Sequence, residues 1–246
     1  MSCITPAAKG DFLLFLASRS PRRHDLLRDI GVPFQVVTST GEEVLTGDSP
    51  IAIAEANALA KLQGAVLPEE MSGDIKQARE SFLSEDAFIL AADTIVVTRE
   101  QNYNKILGKA SSATEAEQML YMLSGHTHEV ITGLALAAGL AKGSTRGEQS
   151  LASVEGVETT ICVPIVRSAV TKVSFSPLSK ADIAAYVASG EWEGKAGAYA
   201  IQGLAALFVS GIQGEYSNVV GLPLHLLYRM FSELGFNLLQ LLCEAQ

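Results

Sequence analysis

At 246 residues, 48% hydrophobic and 18% charged, the chain has material for one large domain or two small lobes around a sizeable core, which excludes global disorder. A formal net charge of -9 argues against non-specific attraction to a nucleic-acid polymer or a membrane surface, since both need a basic face. Cys3, Cys162 and Cys243 are scattered and form no CxxC pair, so a disulfide framework and a zinc site are both disfavoured; they read as buried or incidental thiols of a reducing cytosol.

"FLLFLAS", from residue 12, reads as a strand buried on both faces. It is too short to cross a membrane, an acidic residue precedes it and no signal-peptidase site follows, so a soluble cytoplasmic protein is expected by elimination. "PRRHDLLRDIG" reads as a helix with Ser20 at the N-cap, Pro21 at the first helical position and Gly31 at the stop. "PFQVV" is a second strand, ending in the polar turn "TSTGEE". An alanine-rich helix is predicted over about 49–66, and a polar insertion, partly helical or mobile, over about 68–86.

"FILAADTIVV" is the next strand, followed by an amphipathic helix in "SSATEAEQMLYMLSG", capped by Ser111 or Ser112 and ended by Gly125. "HEVITGLALAA" is a strand, and a second polar insertion runs over about 139–158. One or two strands lie in "TTICVPIVRSAVTKVSFSPL". A helix capped by Ser179 follows, then a glycine-rich stretch around one strand, then one long amphipathic helix from Pro223 to Leu242. Strands and helices alternate, so the class is α/β.

Two places break local rules. Arg22 and Arg23 stand at the second and third helical positions, where exposed amides already make the helix end positive and each cation costs about 0.3–1 kcal/mol. Arg19 adds a third charge. Two readings stand at this point. The pair is either solvated beside Asp25 and Asp29, or it serves an anion gripped by amides, a serine hydroxyl and a guanidinium fork. No Walker A pattern is present.

The second is Asp93, an aspartate inside an apolar strand. It either caps a turn at the strand end, or it is a metal ligand or general base where α/β sheets place their ligands. Thr94 offers a hydroxyl beside it, and Glu42 and Glu43 supply carboxylates from a nearby turn. Oxygen ligands without histidine suit Mg²⁺ or Mn²⁺. Taken singly, Lys61 and Lys109 read as surface charges, His126 and His128 as a strand-entry pair without a third metal ligand, and Trp192 as a packing residue rather than a base-stacking one.

With "LASRSPRRHDLL" and "LAADTIVV" in place, the sequence resembles the Maf family of nucleoside triphosphate pyrophosphatases. Further matches are "GEE" at 41–43, "LGK" at 107–109, "LSGHTHEVITGLAL" at 123–136, "KAGAYAIQG" at 195–203 and "NVVGLPL" at 218–224. Coverage is nearly end to end, a single Maf-like domain over 1–246 with the two insertions outside the pattern. The resemblance implies a two-lobed α/β fold with a strongly twisted mixed sheet and flanking helices, like that of inosine triphosphate pyrophosphatases, with an active-site cleft between the lobes. It also implies hydrolysis of a nucleotide between its α and β phosphates, a divalent metal (Mg²⁺ first, Mn²⁺ as the alternative), and a homodimer.

Residue by residue, Ser18, Arg22 and Arg23 match the family's phosphate-binding turn, Glu43 its metal-side carboxylate, and Asp93 its catalytic base or metal ligand. Lys109 and Lys61 match triphosphate-binding lysines, the latter more loosely, because Asn57 stands where an apolar residue is common. The branch acting on dTTP and UTP carries Arg-Arg after the proline, Asp-Thr, and glutamine in "IQG". The branch preferring 7-methyl-GTP carries a tryptophan after the proline, Asp-Gln and "SEG". This chain matches the first, which ties base choice to Arg23, Thr94 and Gln202; a glutamine amide both donates and accepts, as the edge shared by uracil and thymine requires.

Two departures bear on efficiency. Ala110 replaces a proline after "LGK", loosening the loop of Lys109, and Ala200 replaces a glycine, a source of strain if that position needs positive φ. The alternative functions are a non-catalytic nucleotide- or partner-binding regulator of cell division, which the family's association with septum formation suggests, and a broader pyrophosphatase clearing modified pyrimidine nucleotides.

Overall fold

A computed structural model describes residues 13–44, 47, 49–66, 87–100, 103–139, 148–154 and 157–244. The expected insertion at 68–86 lies outside them. The first apolar run forms β1 (Leu13–Leu16), and α1 (Pro21–Asp29) follows it, with Leu26 and Leu27 turned into the core. Gly31, at φ 74°, ends that turn in the left-handed region expected of the stop. β2 (Phe34–Val36) and the short β3 (Thr38–Ser39) lead into the "GEE" turn. Next come α2 (Pro50–Gln63), capped by the Ser49 hydroxyl, and β4 (Ala65–Val66).

The middle of the chain contributes β5 (Ala87–Glu100), β6 (Tyr103–Leu107), α3 (Ala113–Leu123) and β7 (Thr127–Ala138). The end of the second insertion forms a hairpin of β8 (Glu148–Val154) and β9 (Val157–Cys162), a pairing that its polar composition did not announce. β10 (Ile165–Phe175), α4 (Lys180–Ala188) with a reciprocal Ser179–Asp182 cap, a 3₁₀ turn (Leu204–Phe208) and β11 (Val209–Gln213) follow. The chain closes with α5 (Tyr216–Val220), α6 (Leu224–Glu233) and α7 (Leu238–Glu244). The single long C-terminal helix expected from the sequence is therefore two helices. Gly235 takes φ 87°, which no helix continues, and the Asn237 side chain accepts from the Gln240 amide to start the next.

One seven-stranded mixed sheet runs β11-β10-β7-β5-β1-β2, with β6 also paired to β5. β1 lies parallel to β2 and β5, and the remaining pairs are antiparallel. On one face α3, α4 and α6 cover Leu14, Leu16, Phe88, Leu90, Leu134 and Leu136. On the other, α2 covers Phe15, Ile89, Ala91 and Ala135. Glycine decides how close α2 comes. A methyl at Gly133 on β7 would overlap the Ala54 carbonyl of α2, so the helix rests directly on the strand opposite Asp93. That contact turns Ala54, Asn57 and Lys61, three and seven residues apart, down onto the sheet as one helical face.

Candidate active site

Most of the polar residues that the sequence singles out, though not Glu42, His126 or His128, converge on one pocket of about 790 Å³. Its lining includes Ser18, Arg22 and Arg23 from the β1–α1 turn, Asp93 and Thr94 from β5, and Glu43, Lys61, Lys109 and Gln202 from four other segments.

One wall is an acid corner. Asp93 is 6% exposed and each of its oxygens is occupied. The Lys61 ammonium donates to Oδ1 at 2.6 Å, and the Asn57 amide donates to Oδ2 at 3.0 Å. Lys61 also pairs with Glu43 at 2.6 Å, so one cation bridges both carboxylates. Glu43 reaches it because Gly41 packs against the end of α2, where a methyl would overlap the Ala60 carbonyl. Asn57 then clamps the next residue: the Val44 amide donates to Asn57 Oδ1 at 2.7 Å, and Asn57 Nδ2 donates to the Val44 carbonyl at 3.0 Å. The sequence reading noted Asn57 only as a departure from pattern. The available signal was an amide on the buried face of an alanine-rich helix, four residues before Lys61.

Another part of the lining is cationic. The two arginines differ sharply there. Arg23 is buried, and its guanidinium donates to the Gly221 carbonyl at 2.7 Å, the Ser18 hydroxyl at 2.9 Å and the Thr94 hydroxyl at 3.0 Å. Burial pulls it down to about 10, still fully charged at neutral pH. Thr94 shares a hydrogen bond with Thr132, which donates to the Asn218 carbonyl. Arg23 thus fastens the β1–α1 turn to β5 and to the "NVVGLPL" turn. Arg22 is half-buried, and among the described residues it has no carboxylate or hydrogen-bonding partner. Burial also lowers its pKa. Ser20 sits at the N-cap of α1 but its hydroxyl makes no capping bond.

Lys195, to which the sequence reading assigned no role, lines the same wall. Burial, then the neighbouring Arg22 charge, lower its pKa. Lys109 is exposed at the rim; its backbone is bridged to Ala196, and the Gly197 amide is donated to the Leu107 and Gly108 carbonyls. That ladder holds the "LGK" loop without the proline that Ala110 replaces.

Gln202 is exposed beside them, on a turn held by Glu191, which accepts from the Leu204 amide at 2.9 Å and from the Tyr186 hydroxyl at 3.1 Å. A methyl at Gly203 would overlap that Glu191 carboxylate, which explains the glycine of "IQG". The strain anticipated at Ala200 falls elsewhere: the one non-glycine residue of positive φ among the described residues is Ala198, at 58°.

The remaining candidates are structural. Trp192 is buried and donates to the Val187 carbonyl at 3.0 Å. His126 is exposed, with Nδ1 2.7 Å from the Ser124 carbonyl oxygen, whereas His128 is buried edge-on to Phe175 and Tyr199, with Nε2 2.9 Å from the Tyr199 hydroxyl. Burial pushes His128 down to about 4, so it is neutral. Among the described residues no group of three or more histidine, cysteine, aspartate or glutamate side chains gathers, and no helix is long and apolar enough to cross a membrane.

Known proteins resemble this chain over most of its length. A protein of Symbiobacterium thermophilum named dTTP/UTP pyrophosphatase is 39% identical over 224 residues, spanning 91% of this chain and 94% of its own. A protein of the same name from Rhodopseudomonas palustris is 40% identical over 86% of this chain and 87% of its own, and one from Pelotomaculum thermopropionicum is 36% identical over 92% and 98%. Residues 13–234 match the Maf-like protein family, and the chain belongs to that family.

Proposed function

We propose that this protein hydrolyses nucleoside triphosphates, dTTP and UTP foremost, between the α and β phosphates, releasing the monophosphate and pyrophosphate. One observation carries the reading. A single pocket gathers cations that form no ion pair with a carboxylate among the described residues, Arg22, Lys109 and Lys195, together with a corner where two carboxylates are held together by Lys61. The names of the relatives point the same way.

In this mechanism the cationic wall at the start of α1 takes the phosphate tail. Asp93 orients the attacking water and accepts its proton. The water oxygen bonds to the α-phosphorus as the bond from that atom to the bridging oxygen breaks, and pyrophosphate leaves. Glu43 and Asp93 fit a hard divalent cation, Mg²⁺ or Mn²⁺. They are oxygen donors already arranged around one positive charge, and they would hold that cation together with water and substrate oxygens. That cation, when bound, draws charge from the α-phosphate oxygens.

Base choice falls to Gln202 directly and to Thr94 less directly, its hydroxyl being shared with Arg23 and Thr132. The arginine that goes with them is Arg22 in place of Arg23, since Arg23 is committed to protein partners and Arg22 is the residue directly after the proline. A soluble, cytoplasmic homodimer is part of the same proposal, checked by light scattering on the pure protein. The deciding experiment incubates the protein and Mg²⁺ with a nucleotide panel and resolves pyrophosphate from orthophosphate. Pyrophosphate from dTTP and UTP is expected; orthophosphate alone, or no turnover, overturns the reading.

A further inference from the structure

We propose that Asn57 is a positioning residue that locks Asp93 and the Glu43 segment into one unit, replacing with an amide the apolar contact that the family resemblance leads one to expect there. The inference rests on the active-site reading above and names a residue that this reading does not use. Asn57 is 1% exposed, on the face of α2 that rests on the sheet. Its two N–H groups go to Asp93 Oδ2 and the Val44 carbonyl, each at 3.0 Å, and its carbonyl oxygen receives the Val44 amide at 2.7 Å. The opposite amide orientation would aim Oδ1 at the Asp93 carboxylate and at the Val44 carbonyl, both acceptors, so the network itself fixes which atom is nitrogen.

Two consequences follow. Asp93 keeps a donor on each oxygen, Lys61 on Oδ1 and Asn57 on Oδ2, so its carboxylate plane cannot rotate without breaking one. Val44 is clamped by two opposed hydrogen bonds, and the adjacent Glu43 is therefore delivered to Lys61 from a fixed backbone rather than from a free turn. An apolar side chain in the same volume fills the space between α2 and β5 but does neither. Asn57 is thus the joint between the two carboxylates that would hold the divalent cation, acting through them and not on the substrate.

The test is Asn57→Leu in the full chain. Asn57→Asp accompanies it, keeping the shape and the acceptor for the Val44 amide while losing both donors. Loss of a group that orients metal-binding carboxylates costs about 10–100-fold, so kcat and the Mn²⁺ affinity read by electron paramagnetic resonance without nucleotide should both fall by about that factor. KM for dTTP should change less than about threefold, because the cationic wall is untouched. In Asn57→Leu, amide exchange across 41–44 should accelerate, and adding Glu43→Gln should cost less than it does in the wild type, since that variant already holds Glu43 loosely.

If Asn57→Leu and Asn57→Asp both keep kcat and Mn²⁺ affinity within twofold of wild type, Asn57 only packs, and the proposal is overturned while wild-type pyrophosphate release leaves the functional reading intact. If the wild type releases no pyrophosphate, that reading fails by itself. The Mn²⁺ and exchange measurements still decide whether Asn57 joins the two carboxylates.

Discussion

The two walls of the pocket handle charge in opposite ways. At the acid corner every charge is answered within the protein: Lys61 bridges Glu43 and Asp93, and Asn57 fills the remaining Asp93 oxygen. Elsewhere in the lining, Arg22 stands near enough to Lys195 to lower its basicity, and neither forms an ion pair with a carboxylate among the described residues. In a chain of net charge -9, carboxylates are plentiful, so cations kept apart from them at a helix N-terminus mark a place for an anion from outside. The lesson is that one wall is arranged to hold its own geometry and the other to receive charge, which separates chemistry from binding.

The largest effect expected from that separation is at Asp93. Asp93→Asn keeps the side-chain volume and leaves Lys61 its bond to Glu43, yet removes the proton acceptor, so kcat should fall about 10³-fold or more. Nucleotide binding, measured by calorimetry with the cationic wall intact, should persist. Retention of most of the wild-type kcat would break the division of labour.

Next in size is the contrast between the two arginines. Arg22→Ala should raise KM about 10–100-fold, the equivalent of roughly 1.4–3 kcal/mol of lost charge-assisted contact. It should also leave Tm unchanged or slightly raised, since it removes a cation from a positive helix end. Arg23→Ala does the reverse first. It strips donors from Ser18, Thr94 and Gly221 in a buried setting, and should lower stability by about 2–4 kcal/mol. Chemical denaturation of both variants checks this, and equal losses of stability would erase the distinction.

That distinction also marks how far the sequence could be read. Alternating apolar runs with their stops located β1, α1, β5, α3, β7 and α4, because burial period and capping chemistry are local. Asp93 was legible as a carboxylate in an apolar strand. The difference between Arg22 and Arg23 was not, since one step along a helix turns a side chain by about 100° and only the packed Gly221 turn says which direction is inward. Asn57 was hidden for a related reason. Its partners lie on the Glu43 segment and β5, and they meet it only because Gly133 lets α2 settle on β7. The break at Gly235 was missed because a single glycine inside an amphipathic pattern is tolerated until its φ turns positive.

A buried group that stays neutral tests the rule from the other side. His128 is held at about 4 by burial, below its unfolded value of about 6.5. The unfolded chain therefore takes up the proton first as pH falls. Stability from this residue is complete above about pH 6.5, is lost progressively toward pH 4 and is level below it, up to about 3 kcal/mol in all. His128→Phe should lower stability at neutral pH by stranding the Tyr199 hydroxyl, yet flatten the loss between pH 6.5 and 4 relative to wild type. Parallel curves for the two proteins would remove His128 from the acid sensitivity.

The smallest effect belongs to Lys195. Its Nζ donates to the Glu193 carbonyl at 2.9 Å, which leaves two of its three N–H groups for a ligand, and burial together with Arg22 already disfavours its charge. A phosphate arriving between Lys195 and Arg22 relieves that repulsion as well as adding a contact, so the gain exceeds that of an isolated surface lysine. It still falls short of Arg22, because an ammonium is a point charge and cannot grip two oxygens in a fork. Lys195→Ala should therefore raise KM about three- to tenfold with kcat within twofold, and the rise of KM with added salt should be shallower than in wild type. A larger fall in kcat than in affinity would place Lys195 with the acid corner, and the two-wall division would have to be redrawn around it.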